Sequence, residues 1–412
     1  MLLFIGWALL LTDSGLPYYL WFAVIGFLWY NTFTRKIWKR DMKKFTGMVT
    51  TLVVALGLFT SPSMAQAATS KNFTIDVVSA TWTDKSLPVN SVTELSEIIS
   101  SDTISYWKNQ AGIEFKLGIV DSKPLVTSQA GICSSAGVNN YFVKLRKAFY
   151  SRQKVSEKGR YLYILLPQTA EHCSWAGISV MGKLSDPRGT VFLYDNIDPQ
   201  VVIHELGHAL GLGHSNFYSC PGMMDGPWSV CRGLEYGDPG DMMGNGMSYA
   251  PLNSFSLWML GALKRDNIYS IDSSTEVTLK LSDSKEGLRA VYFKDSDAMY
   301  WVENRPSAAN FQPGMTIYRQ DNSTTGKVRT VRSSNGTVKK VSIANSIPDV
   351  YLLNLGSYSP NTMSGSATGL SFESFSKNVS IQAVVNEDKS LTMKITVVDL
   401  TKLKMLPAKV SN

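Results

Sequence analysis

The stretch His204-Glu205-Leu206-Gly207-His208-Ala209-Leu210-Gly211-Leu212-Gly213-His214 decides how the rest of this 412-residue chain is read. Histidines four residues apart leave one face of a helix about a turn from each other, which suits two neighbouring ligands of a tetrahedral metal. Glu205 follows the first of them. It would stand near such a metal without having to bind it, where a carboxylate can take a proton from an activated water. Gly211 has no Cβ and can adopt a left-handed conformation, ending the helix so that His214 swings back as a third ligand. Three neutral imidazoles leave a fourth position open, the arrangement of a catalytic rather than a structural zinc site, so one Zn2+ is expected. Three of the four histidines in the chain fall at these spacings, which leaves little room for a helix whose histidines are incidental.

This pattern resembles the extended zincin motif of the metzincin metalloproteases, which pair such a helix with a downstream turn whose methionine lies beneath the metal. The stretch Glu235-Tyr236-Gly237-Asp238-Pro239-Gly240-Asp241-Met242-Met243-Gly244 resembles that turn, in wording nearest to the gametolysin family. The resemblance makes Met243 the Met-turn residue, with Met242 beside it as the alternative. It implies an α+β catalytic domain with a mixed five-stranded sheet, a zinc helix and a Met-turn. It also implies an endopeptidase acting on proteins or peptides, with Glu205 as base and then acid. In that family the fourth strand is a free edge along which substrate lies as an added strand; carried over, the edge is Gly177, Ile178, Ser179 and Val180. Some metzincins place a tyrosine two residues after the Met-turn methionine. Here that position is Asn245, and Tyr249 is out of register.

Composition agrees with a globular protein: 44% hydrophobic and 18% charged residues, enough chain for two cores. The formal charge of +7 is partly N-terminal. Beyond residue 67 there remain 34 Lys/Arg against 31 Asp/Glu, or +3, too weak a balance to call for a nucleic-acid partner. From Met42 the chain reads Met-Lys-Lys, an apolar run over 45–59, and Ser-Pro-Ser-Met-Ala-Gln-Ala ending at Ala67: a secretory signal peptide over 42–67 and a secreted product. Residues 1–41 are then an upstream extension ahead of the real start. The other reading makes the uncharged 14–34 a membrane span, with Arg35, Lys36, Lys39 and Arg40 on the cytoplasmic side, and the protein membrane-anchored. All four cysteines follow the cleavage site, so two disulfides are expected among three possible pairings. The preferred pairing closes the short loop between Cys220 and Cys231 and leaves Cys133 with Cys173.

In chain order, alternating or continuous apolar runs predict strands at 73–82, 115–120, 161–166, 176–181 and 190–194, and apolar residues at helical spacing predict a helix over 92–110. Asp198 and Pro199 are a natural N-cap and first-turn pair for the helix that carries the histidines. A last helix is expected over 253–263, with Trp258 in the core. From about residue 270 short alternating runs recur at 277–281, 290–293, 299–303, 315–318, 350–353, 370–375, 379–385 and 391–398. They predict a β-sandwich-like domain over 269–412 after a catalytic domain over 68–268. The sequence contains no P-loop, no dinucleotide fingerprint and no Ser-His-Asp set that does not borrow a metal ligand. His172, the remaining histidine, reads as structural. The rival to a protease is a zinc-stabilised exported adhesion or matrix- or cell-wall-binding protein acting through its β-domain, with Tyr300, Trp301 and Tyr318 as its surface if they are exposed.

Overall fold

The computed structural model describes residues 72–82, 91–127, 135–167, 175–194, 197–246, 249–296, 298–307, 311–321, 328–332, 338–342, 349–359 and 364–404. Residues 14–34 and 42–67, with Cys133, His172 and Cys173, lie outside the described residues. Among those described, no helix is long and apolar enough to cross a membrane.

The first half is a mixed α/β layer structure. Strand β1 (Asn72–Thr81) is followed by helix α1 (Ser91–Ile98), a π-helical turn (Ile99–Thr103) and α2 (Ile104–Ala111), then β2 (Glu114–Val126), α3 (Ser135–Gln153), β3 (Arg160–Leu166), β4 (Gly177–Ser179), β5 (Arg188–Tyr194) and α4 (Pro199–Ala209). The sheet order is β2-β1-β3-β5-β4. Every pairing is parallel except that β4 runs antiparallel to β5 at the edge.

Strand β3 explains the layering. Residues 161–166, Tyr-Leu-Tyr-Ile-Leu-Leu, are all fully buried. Tyr161, Tyr163 and Leu165 join the core with α1, α2 and α4, while Leu162, Ile164 and Leu166 join the core with α3 on the other face. A strand covered on both sides reads as an unbroken apolar run. Helix α3 was not among the expected elements. Its core residues Val138, Phe142, Leu145 and Phe149 recur at spacings of four, three and four, a helical stripe diluted by exposed lysines. The Phe142 ring stacks on Phe192 of β5 with centroids 4.3 Å apart. The expected helix over 92–110 forms, interrupted by the π-helical turn and ended by Gly112 at φ +60.

After α4 come β6 (Ser215–Ser219), β7 (Arg232–Leu234), α5 (Ser254–Met259), β8 (Ile268–Ser270), β9 (Thr275–Leu279), β10 (Ala290–Asp295), β11 (Ala298–Asn304), β12 (Met315–Asp321), β13 (Val328–Arg332), β14 (Val338–Ser342), β15 (Val350–Leu353), β16 (Ser371–Glu373), β17 (Val379–Val385), β18 (Leu391–Val397) and β19 (Leu403–Lys404). A ten-stranded sheet runs β14-β13-β7-β6-β15-β12-β11-β10-β19, with β8 also on β10. A four-stranded antiparallel sheet runs β16-β17-β18-β9, and both sheets contribute to one core through residues such as Phe293, Tyr300, Ile317, Leu353, Ile381 and Met393.

The large sheet crosses position 268. Its strands β6 and β7 come from between His214 and the stretch 235–244, and they pair parallel with β15 and β13. Five and three residues long, without period-2 patterning, they carried no strand signal of their own. Tyr300, Trp301 and Tyr318 are all at most 2% exposed, so the surface that the adhesion reading needed is core. Trp258 is half-buried and sits 6.1 Å from the Trp301 ring. Helix α5 is shorter than expected, capped by the Asn253 side chain, which accepts the Ser256 N–H at 2.8 Å. Cys220 and Cys231 are disulfide-bonded.

Candidate metal site

Helix α4 begins where the sequence signals it: the Asp198 carboxylate accepts the Gln200 N–H at 2.7 Å, and Pro199 fills the first helical position. The helix packs Val202, Ile203 and Leu206 into the core and turns His204 and His208 the other way. Gly211 takes φ +100, and the chain returns so that His214 faces both. One ring nitrogen from each of the three histidines lies within 4.8 Å of the others.

The hydrogen bonds fix the tautomers. His204 Nδ1 lies 2.8 Å from the Met242 carbonyl oxygen and His208 Nδ1 lies 2.8 Å from that of Leu212. A carbonyl only accepts, so each Nδ1 carries the proton and each Nε2 keeps its lone pair. The two Nε2 atoms stand 3.1 Å apart. Two lone pairs facing at that distance repel, and His214 Nε2 beside them is buried without a hydrogen-bond partner. A cation between the three would satisfy all of them. Burial and the neighbouring imidazoles push His204 down to about 3 and His208 well below its ordinary value, which keeps both neutral and able to ligate.

Glu205 is 7% exposed, and its Oε2 has no hydrogen-bond partner. Burial raises its carboxyl to about 8. Burying a carboxyl without a partner costs stability, and carboxyls perturbed in this way cluster at functional sites. The edge strand presses against it: a Cβ on Gly177 would stand 2.6 Å from Glu205 Cγ. Gly177, Ile178 and Ser179 form β4, and Val180 follows the strand, 39% exposed.

Both methionines of the quoted turn have a place. Met242 gives its carbonyl to His204, and Met243, fully buried, lies under the helix. A Cβ on Gly207 would stand 2.4 Å from Met243 Sδ, so the glycine between the two histidines lets the sulfur reach the helix backbone. The carbonyl of Met243 accepts the Ser215 N–H at 2.8 Å, which ties the turn to the residue after His214.

Two further residues of the quoted turn meet the third histidine. Glu235 Oε1 lies 3.4 Å from His214 Nδ1, where it can orient that ring. Tyr236, at φ +58, holds its ring 4.0 Å from the His214 ring and 5.7 Å from that of His204, with its N–H on Asn216 Oδ1 at 3.0 Å. A non-glycine residue with positive φ is costly backbone, and here it serves to lay an aromatic wall over the third histidine. Nothing in single-sequence patterning marks such a residue. The polar network beneath the turn includes Asp238 and Asp241, both fully buried.

Residues 120–264 match the model of the family described as gametolysin peptidase M11. No curated protein matches the chain. Among solved structures, metalloproteinase-II from Bacteroides fragilis is similar at 13% identity with a TM-score of 0.31, over 48% of this chain and 54% of that one. The chain thus spans about half the length of that protein. Across residues 120–264, which hold the three histidines, Glu205, the edge strand and the turn, the chain is similar to the metalloproteases of the gametolysin family.

Proposed function

We propose that this chain is a secreted zinc-dependent endopeptidase of the metzincin type, with His204, His208 and His214 as ligands and Glu205 as general base and acid. The observation that carries the reading is the convergence of three imidazoles, one with an orphaned Nε2, at a helix that also carries the buried carboxyl of Glu205, whose Oε2 has no hydrogen-bond partner. The chemistry of that donor set fits zinc: three nitrogens, borderline-soft, with room for a fourth partner. Held there, zinc supplies Lewis acidity toward a peptide carbonyl and lowers the pKa of water. Glu205 takes the proton of the attacking water and hands it to the leaving amine. The free edge of β4 offers backbone groups to an extended substrate, and Gly177 keeps that edge close to Glu205. Met243 packs beneath the helix as the Met-turn residue. The four-stranded sheet and the sheet facing it act as a β-sandwich-like C-terminal region, and the signal at 42–67 directs export, with the mature chain beginning near Ala68.

The test is metal removal. The mature chain should contain one zinc, lose peptide hydrolysis on treatment with a chelator and regain it when zinc is returned. A chain that holds zinc at one equivalent yet cleaves no peptide in a broad library would overturn the proposal. A second expectation concerns the edge strand. Gly177→Ala should lower kcat/KM on the order of tenfold to a hundredfold by displacing Glu205, since small misplacements of a reacting group cost that much, while zinc content stays that of the wild type. Wild-type kcat/KM in that variant would show that the close approach of β4 to Glu205 does not matter.

A further inference from the structure

The family match stops at residue 264, but the bonds that hold the site do not. His214 is gripped on both sides of its backbone by residues more than 130 positions later. Its N–H donates to Asp349 Oδ1 at 2.9 Å, and its carbonyl accepts the Val350 N–H at 3.0 Å. From the next residue onward β6 pairs with β15, Ser215 opposite Val350. The third histidine is therefore the point at which the large sheet takes hold of the metal loop.

A second attachment lies under the Met-turn. Asp241 Oδ1 accepts the Met243 N–H at 2.7 Å, and its Oδ2 accepts the Asn253 N–H at 2.6 Å. Asp238 accepts the Gly240 N–H at 2.9 Å and the Ser215 hydroxyl at 2.7 Å. These two fully buried carboxyls shape the turn, and a third, Glu303, accepts the Ser254 N–H at 2.7 Å. The cation among them is Arg305, directly after β11 and 3% exposed. Its guanidinium donates to the Pro251 carbonyl at 2.5 Å and to the Tyr318 hydroxyl, and lies 3.4 Å from Glu303 and 4.0 Å from Asp241. Burial raises all three carboxyls, and the Arg305 charge opposes the rise in each. Buried carboxyls around a guanidinium are strongly destabilising once that partner is taken away, so the turn depends on an arginine outside the matched segment.

We propose that Asp349 and Arg305 are positioning residues of the metal site: Asp349 fixes the backbone that presents His214, and Arg305 fixes the turn that carries Met242 and Met243. The catalytic unit then extends through β15, and residues 68–268 alone do not complete it. This rests on the zinc-peptidase reading above. In metal centres, groups that orient the ligands change metal affinity about 10–100-fold when removed.

The experiment uses the mature chain with four single substitutions, and measures the rate at which zinc passes to a chelator together with kcat and KM. Asp349→Ala should release zinc on the order of tenfold faster and lower kcat more than KM is changed. Asp349→Asn should restore both, because an amide oxygen still accepts the His214 N–H. Arg305→Met should do the same harm through the turn, and Arg305→Lys should recover part of it by keeping the charge. If Arg305→Met does not fold, the Asp349 pair decides. Asn as harmful as Ala at position 349, or all four variants releasing zinc at the wild-type rate, overturns the inference while a zinc-containing, active wild type leaves the proposed function standing. A wild-type chain that takes up no zinc overturns both.

Discussion

Glu205→Gln is expected to reduce peptide hydrolysis by about three orders of magnitude while the protein keeps one zinc and melts no lower than the wild type. The size follows from the role: general acid–base catalysis contributes about 10²–10⁴-fold, and Glu205 is proposed to act in both directions. Retention of zinc follows from geometry, since the converging ligand atoms are those of the three histidines. The stability expectation comes from burial. Oε2 of Glu205 is buried without a partner, and the carboxyl is raised to about 8 because ionising it there is costly. Replacing it by a neutral amide of the same shape removes that cost and leaves the packing of Gly177 against its stem. Zinc analysis, calorimetry and a peptide assay on one preparation decide the matter. A variant that loses zinc in step with activity would make Glu205 a ligand and not a proton carrier.

The site was legible in the sequence to the extent that it is local. Two histidines at i and i+4, an N-cap pair at Asp198 and Pro199, and a glycine able to turn left-handed at position 211 each act within one or two turns of chain. The structure has all of them in place. Of the strands in the first sheet, β3 was the plainest, because a strand covered on both faces is apolar throughout, as residues 161–166 are. What was not visible is what depends on partners far away. Strands β6 and β7 have no pattern of their own; they pair with each other and are held in the sheet by β15 and β13 on either side. Asp349 looks like any loop aspartate until His214 is laid beside it. Arg305 reads as a surface cation until the three carboxyls around it, with the Tyr318 hydroxyl and the Pro251 carbonyl, make its burial tolerable. Helix α3 is a different case. Its stripe of Val138, Phe142, Leu145 and Phe149 stands at helical spacing, diluted by polar and charged neighbours.

His214→Ala should lose metal without losing the fold, and the two halves of that statement have separate causes. A tetrahedral zinc site contributes about 10–16 kcal/mol over four ligands, so one ligand carries about 3 kcal/mol. At 1.4 kcal/mol per tenfold, zinc affinity should fall on the order of a hundredfold. Peptide hydrolysis should fall with it at limiting zinc and return only partly at excess, because two ligands on one helix do not fix a tetrahedron. The fold should survive because the structural work at position 214 is done by its backbone. The N–H on Asp349 and the carbonyl accepting from Val350 are both kept by alanine, whereas the Nε2 that is removed has no hydrogen-bond partner in the protein. The ring contacts with Tyr236 and Glu235 are lost, and both neighbours are partly exposed and can be rehydrated. Zinc titration together with thermal melting of the metal-free proteins separates the effects: the melting points of wild type and variant should agree within a few degrees without metal and diverge when zinc is added, by mass action on the species that binds it. Equal zinc-induced stabilisation in both proteins would remove His214 from the ligand set.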